Sequence, residues 1–259
     1  MKIDRKQVIT MFQIYTENYD MEDAKIRLKY EHTYRVASLC ERIAESINLS
    51  DEEKDLAWLL GMLHDIGRFE QLHRYGTFTD AISINHAEFG ADLLFGRKGE
   101  DALIRSFVLD ASEDRLIETA VRHHSDYRIP ENLDERTKQF CNLLRDADKI
   151  DIFRVNIEFS LEEIYNCTTD DLRSCDITPE VLNCVKEHHA VLRSLKKTTM
   201  DNVVGQISLM FELVYPRSVE IVRDQGYLDK LINVTSDNYE TQKSLDWIKA
   251  EVTHYMATI

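Results

Sequence analysis

Apolar residues recur along this chain at helical spacing almost throughout. Between Glu22 and Asn48, the residues His32, Val36, Leu39, Ile43 and Ile47 fall on one face, which predicts a helix. Ser50-Asp-Glu-Glu53 reads as a capping box opening the next helix, whose stripe is Leu56, Leu59, Leu60 and Leu63. Gly67 and Gly76 bracket an expected break, and Arg74 to Ser83 reads as a loop. Asn85 with Glu88 reads as an N-cap pair, followed by His86, Phe89, Gly90 and Leu93 on one face. Asp114 to His124 is a further helix, striped by Ile117, Ala120, Val121 and His124, and Tyr127-Arg-Ile-Pro130 stops it. From about Asp134 to Asn156 the pattern is long and periodic, with Phe140, Leu144 and Asp148 in line. Thr178-Pro179 starts another helix with proline at its first position. More helices follow to Ile259, punctuated by Tyr215-Pro216 and Gly226. No strand pattern, repeat or linker interrupts this, so the expectation is a single all-α unit over residues 1–259.

Composition narrows the picture. Only 8 Gly and 3 Pro occur in 259 residues, too few for a turn-rich all-β chain. Lys plus Arg number 32 against 47 Asp plus Glu, a net charge of -15, which argues against general nucleic-acid binding. A phosphate substrate stays open, because a bound metal can supply local positive charge. The five cysteines (Cys40, Cys141, Cys167, Cys175, Cys184) form no CxxC pair and read as reduced thiols. The start MKIDRKQVITMFQIY carries charge but no apolar signal region, and no run of ~18 apolar residues occurs. A cytoplasmic protein with no membrane span is expected.

Six polar residues sit where the stripes call for apolar ones: His32, His64, Asp65, His86, His124 and Asp148. A single histidine on an apolar face is usually a hydrogen-bonded core residue. Six together, near helix ends or on core stripes, call for a shared partner, and a metal is one that buried imidazoles and carboxylates accept. Two positions are ambiguous. Asp146 and Asp148 point ~200° apart on a helix; Asp148 continues the Phe140 and Leu144 stripe, which leaves Asp146 as a solvated or capping carboxylate, with Asp151 on the Asp148 side. His123 follows Leu116 and Ala120, while His124 follows Ile117 and Val121, so both are plausible ligands.

The order His…His-Asp…His…His…Asp resembles the HD-domain metal-dependent phosphohydrolases. His32 in YEHTYRVASLCERIAE, the doublet in LLGMLHDIGRFE and Asp148 in LLRDADKIDIF carry the resemblance. The added His86 in INHAEFGADLL and the pair in AVRHHSDYRIP resemble the subset that holds two metals. The resemblance spans about residues 28–155, leaving about 156–259 as a C-terminal helical extension without a motif. It implies an HD-domain helical bundle with His32, His64, Asp65, His86, His124 and Asp148 as metal ligands. Such a donor set suits one or two Mn, Fe, Mg, Co or Zn ions rather than copper(I). Asp65 could bridge two ions ~3.5–4 Å apart, which would clamp a phosphoryl group and activate a water.

The same resemblance places the single histidine of other members at His124, leaving His123 to face the substrate as a catalytic or outer contact. Arg68, one turn after His64, corresponds to a position often basic in the family and would contact phosphate as a catalytic and substrate-binding residue; its alternative is surface pairing with Glu70 or Glu88. Lys149, Arg122 and His73 are further phosphate-binding candidates, His73 lying in the loop LHRYGTFTD that could cover the site. His188 and His189 read as helix-surface residues, and His254 as a residue without a special role. The implied activity is hydrolysis of a phosphate ester, of a nucleotide or related small molecule, by metal-activated water. Alternatives are an HD-type di-iron oxygenase or a non-catalytic HD ligand-binding or regulatory module; keeping all six ligands argues against the last. Nothing like the Gly-Tyr-Pro segment of cyclic-dinucleotide enzymes follows HHSDYRIP, which argues against cyclic di-GMP hydrolysis. Leu209, Phe211, Leu213 and Val214 form a dense apolar run that reads as core, with a homodimer interface as the alternative.

Overall fold

A computed structural model describes residues 1–96, 102–159 and 167–259. The described residues form helices joined by turns, with no strand among them. They group into two compact units, Met1–Asp148 and Lys149–Ile259, where the sequence pattern reads as one. The reason is local. The division falls inside one continuous helix, Glu135–Glu158, so no proline or glycine linker marks it.

The first unit contains α1 (Arg5–Thr16), α2 (Ala24–Ser46), α3 (Asp51–Leu63), α4 (Ile66–Tyr75), α5 (His86–Phe95), α6 (Ile104–Phe107), α7 (Asp114–His123) and the start of α8 (Glu135–Glu158). Helix α2 packs along α3, α4 on α5, and α5 on α7. The stripes read from the sequence are the buried ones: Val36, Leu39 and Ile43 of α2 and Leu56, Leu59, Leu60 and Leu63 of α3 all lie in the core. Each such side chain contributes about 2 kcal/mol of burial. Helix α3 opens on the expected capping box, with the Ser50 hydroxyl and Glu53 carboxylate satisfying each other's backbone N–H groups. Asn85 caps α5 by accepting from the N–H groups of Ala87 and Glu88.

One expectation is corrected. Gly67 and Gly76 do not bracket a break; the helix α4 runs between them and ends at Gly76, whose φ is 67°. Gly67 serves a close helix crossing instead. A Cβ there would lie 2.6 Å from the His86 carbonyl oxygen and 2.7 Å from the Gly90 nitrogen. Gly61 does the same between α3 and α2, where a Cβ would meet the Ala37 Cα at 2.4 Å.

The second unit contains the rest of α8, then α9 (Thr169–Ser174), α10 (Pro179–Lys186), α11 (Thr199–Ile207), α12 (Pro216–Gln225), α13 (Tyr227–Leu231) and α14 (Tyr239–Thr258). Buried Asp201 organises it by accepting from the Thr178 N–H and hydroxyl and from the N–H groups of Lys197 and Thr198. Of the apolar run, Phe211 is buried and Val214 exposed. His188 lies beyond the end of α10 rather than on a helix face, at φ 54°, stacked on Phe211 and bonded to Glu251 at 2.6 Å. Among the described residues no helix is long and apolar enough to cross a membrane. All five cysteines are free thiols.

Candidate metal centre

The polar residues that interrupt the apolar stripes of the first unit converge. His32 lies within α2, His64 immediately follows α3, Asp65 precedes α4, His86 opens α5, His124 immediately follows α7, and Asp148 lies in α8. Helix ends suit this purpose, because there the side chain can leave the helix surface while the backbone stays anchored. Asp65 makes no capping bond to its own helix, so its carboxylate is left for the centre. His32, His64, Asp65, His86 and His124 are all buried.

Asp65 divides the centre into two pockets. Its Oδ2 lies 3.5 Å from the Nε2 atoms of both His32 and His64. Asp148 Oδ1 closes that pocket at 3.2 Å from His32 and 3.8 Å from His64. Asp65 Oδ1 faces the other way, 3.5 Å from His86 Nε2 and 3.6 Å from His124 Nε2. Two overlapping groups, His32 with His64 and Asp148, and His64 with Asp65 and His124, have ligand atoms close enough to share an ion.

The hydrogen-bond chemistry of the second pocket suits a cation. His124 Nδ1 contacts the Val121 carbonyl at 2.7 Å, and His86 Nδ1 contacts the Asp80 carboxylate at 2.8 Å. Both partners only accept, so each Nδ1 carries the proton and each Nε2 of a neutral ring is a bare lone pair. Those two Nε2 atoms lie 3.1 Å apart, with Asp65 Oδ1 beside them. Acceptors facing one another without a proton repel, and a divalent ion is the partner that satisfies them together. In the first pocket His64 Nδ1 donates to the Gly61 carbonyl at 2.8 Å, and its Nε2 lies 3.2 Å from His32 Nε2.

Electrostatics keep the donors in ligand form. Burial pushes the His64 imidazole down to about 4 and, with the nearby Arg68 charge, His86 down to about 3, so both are neutral near pH 7. Burial alone would raise the Asp65 carboxyl. Lys29, His64, the contact with His124 and Arg68 together hold it well below the usual carboxylate range. Asp148 is likewise held low against its burial, chiefly by His32 and His64.

Residues 30–155, just under half of the chain, match the family model described as HD domain. This segment is an HD domain. A curated relative, the 3'3'-cGAMP-specific phosphodiesterase 1 of Vibrio cholerae serotype O1, is 33% identical over 63 residues, 23% of this chain. The matched segment covers only 15% of that relative's length. No solved structure matches the chain.

The other residues expected at the site fare differently in this HD domain. Arg68 pairs neither with Glu70 nor with Glu88. Its Nη1 donates to Gln71 Oε1, the Phe78 carbonyl and Asp80 Oδ1, at 2.8, 2.7 and 2.9 Å. Its Nε is buried without a hydrogen-bond partner, 3.7 Å from Asp65 Oδ1. His123 turns away from the cluster to pair with Asp126 at 2.7 Å. Arg122 is engaged by Asp92 and Glu118, and exposed His73 lies against the Tyr19 ring. Lys149 is buried in the second unit, 3.3 Å from the Glu212 carbonyl. Asp146 is fully buried rather than solvated, on a stretch of α8 where Leu143, Leu144, Arg145 and Ala147 are buried as well. Asp151 is buried as well.

Three residues escaped the sequence reading. Lys29 reaches Asp65 Oδ2 at 2.7 Å, and its position one turn before His32 was the available signal. Asp80 sits on the segment between α4 and α5, where no periodicity marks a polar residue as special. Arg145 donates to the carbonyls of His123 and His124 at 3.1 Å and also to that of Asp126, pinning the chain end that carries His124.

Proposed function

We propose that this chain hydrolyses phosphate ester bonds of a small anionic substrate, with nucleotides the favoured class, using a two-ion centre. The bridging placement of Asp65, one oxygen on each histidine pair, carries this reading. Divalent ions held by His32, His64 and Asp148 on one side and His86 and His124 on the other would supply Lewis acidity and lower the pKa of water. The protein's part is positioning and charge. Lys29 and Arg68 approach Asp65 from its two oxygens, so a phosphoryl group laid over the centre would meet a cation at either edge. The orphaned Arg68 Nε–H is a buried donor that an oxyanion would satisfy. The Phe78 ring lies 5.7 Å from the Lys29 ammonium and 5.6 Å from the Arg68 guanidinium, which holds both stems in place. The phosphodiesterase activity of the Vibrio relative is in keeping with phosphodiester chemistry, over the short segment shared. The free cysteines fit a reducing compartment such as the cytoplasm.

The test is elemental analysis of protein purified without added metal, then a manganese-supplemented screen of nucleotides and generic phosphate esters. Close to two ions per chain with phosphate release is expected. Asp65→Ala should retain the helical fold and lose at least ~100-fold in turnover. Unchanged turnover in Asp65→Ala would overturn the mechanism. Two irons with oxygen consumption and no phosphate release would replace it with the oxygenase reading, for which the same donors suffice.

A further inference from the structure

Three of the candidate ligand histidines, His64, His86 and His124, have known Nδ1 partners, and they are not oriented alike. His64 and His124 each donate to a main-chain carbonyl three residues earlier, Gly61 and Val121, at the end of the helix they follow. These bonds come with the helix and depend on no other side chain. His86 is different. Its Nδ1 donates to the carboxylate of Asp80, a residue of the connecting segment.

Asp80 is held for this contact from several directions. Its Oδ2 accepts from His86 Nδ1 at 2.8 Å, while its Oδ1 accepts from Arg68 Nη1 at 2.9 Å and Gln71 Nε2 at 3.0 Å. Gln71 is fully buried and also donates to Ser83 Oγ and the Ile84 carbonyl, each at 2.9 Å. Arg68 in turn holds the Phe78 carbonyl. The segment from Phe78 to Ile84 is therefore stitched to α4 by two side chains, and Asp80 is where that stitching meets a residue of the centre.

We propose that Asp80 is a positioning residue for the second pocket alone. It fixes the His86 ring and its proton, so that Nε2 presents a lone pair beside His124 Nε2 and Asp65 Oδ1. A carboxylate behind a ligand histidine also raises that ligand's basicity, and removing such a partner typically costs about 10–100-fold in metal affinity. In the first pocket the His64 ring is oriented by the Gly61 carbonyl rather than by a side chain. The two pockets are thus separable by one substitution that touches neither ion. This rests on the two-ion reading above, though not on the identity of the substrate.

The experiment is a manganese titration, by calorimetry and equilibrium dialysis, of chelator-stripped wild type, Asp80→Asn, Asp80→Ala and His86→Ala. Asparagine nearly matches aspartate in shape, but its single acceptor cannot serve both His86 and the Arg68 and Gln71 donors. Asp80→Asn and Asp80→Ala should bind the first ion within about threefold of wild type and the second about 10–100-fold more weakly. His86→Ala should lose the second ion. Circular dichroism of each metal-free variant checks that the helices persist, and Asp80→Glu, which keeps the carboxylate, should recover part of the second-ion affinity. Wild-type binding of both ions by Asp80→Asn and Asp80→Ala overturns the proposal, as does equal weakening of both ions, which a merely structural role would produce. A wild type that binds fewer than two ions overturns instead the two-ion reading beneath it, and that failure is visible before any variant is made.

Discussion

At the residue scale the imidazoles of His64 and His86 are kept proton-poor by burial, and the carboxylates of Asp65 and Asp148 by the groups that neighbour them. The imidazoles of His64 and His86 lie at about 4 and about 3, against 6.5 for an unhindered histidine. The unfolded chain therefore binds more protons than the folded one below about pH 6.5. Stability is fully present above that pH and is lost as pH falls toward the folded values. By pH 5 each histidine should have cost metal-free protein on the order of 2 kcal/mol. Asp65, Asp148 and Asp80, all held low, add a loss of the same sign below about pH 4. Urea melts of chelator-stripped protein between pH 5 and 7.5 should show a midpoint falling steadily with acidification. A flat midpoint would mean these rings are not the buried neutral acceptors described.

At the element scale, the candidate ligands are placed by how closely helices approach. Gly67 and Gly90 let α4 and α5 cross with backbone nearly in contact, which brings His86 beside Asp65. Gly67→Ala would force the two backbones apart and should cost at least about 3 kcal/mol, with loss of ion binding at the His86 pocket. Gly76→Ala is the control. It ends the same helix at φ 67° with nothing near its missing Cβ, so only the left-handed backbone is strained, at about 1–2 kcal/mol. Denaturant titrations and manganese binding of the two variants should separate them. Equal losses in both would show that the crossing is not what places His86.

At the scale of the whole molecule, every candidate ligand among the described residues belongs to the unit Met1–Asp148. Ions that bind the folded centre stabilise that unit by mass action, about 2.7 kcal/mol per site at a hundredfold excess over Kd. Scanning calorimetry with manganese, then with chelator, should show a reversible rise in the transition of the first unit. A rise confined to the second unit would contradict the assignment. The net charge of -15 works in the same direction, since cations neutralise part of an acidic chain's self-repulsion.

Much of this was legible in the sequence, for a physical reason. Helical periodicity is a local property, so the stripes of α2 and α3, the Ser50 and Asn85 caps and the proline start of α10 could be read directly. Polar residues on those stripes are conspicuous because burial without a partner is costly, and that singled out His32, His64, Asp65, His86, His124 and Asp148. Spacing alone left His123 against His124 open, since either continues an apolar stripe. Only the folded chain shows His123 turned to Asp126 and His124 turned to Asp65. Asp80 follows the same logic, its partner lying 6 residues away across a loop, while Lys29 shares a helix face with His32 but owes its pairing with Asp65, 36 residues away, to helix packing. The sequence determined which helix stripes are buried and which polar residues on them call for a shared partner. The tertiary structure decided which atoms face one another, because that depends on helix crossings such as Gly67 against Gly90 and on a connecting segment whose course has no repeat to read.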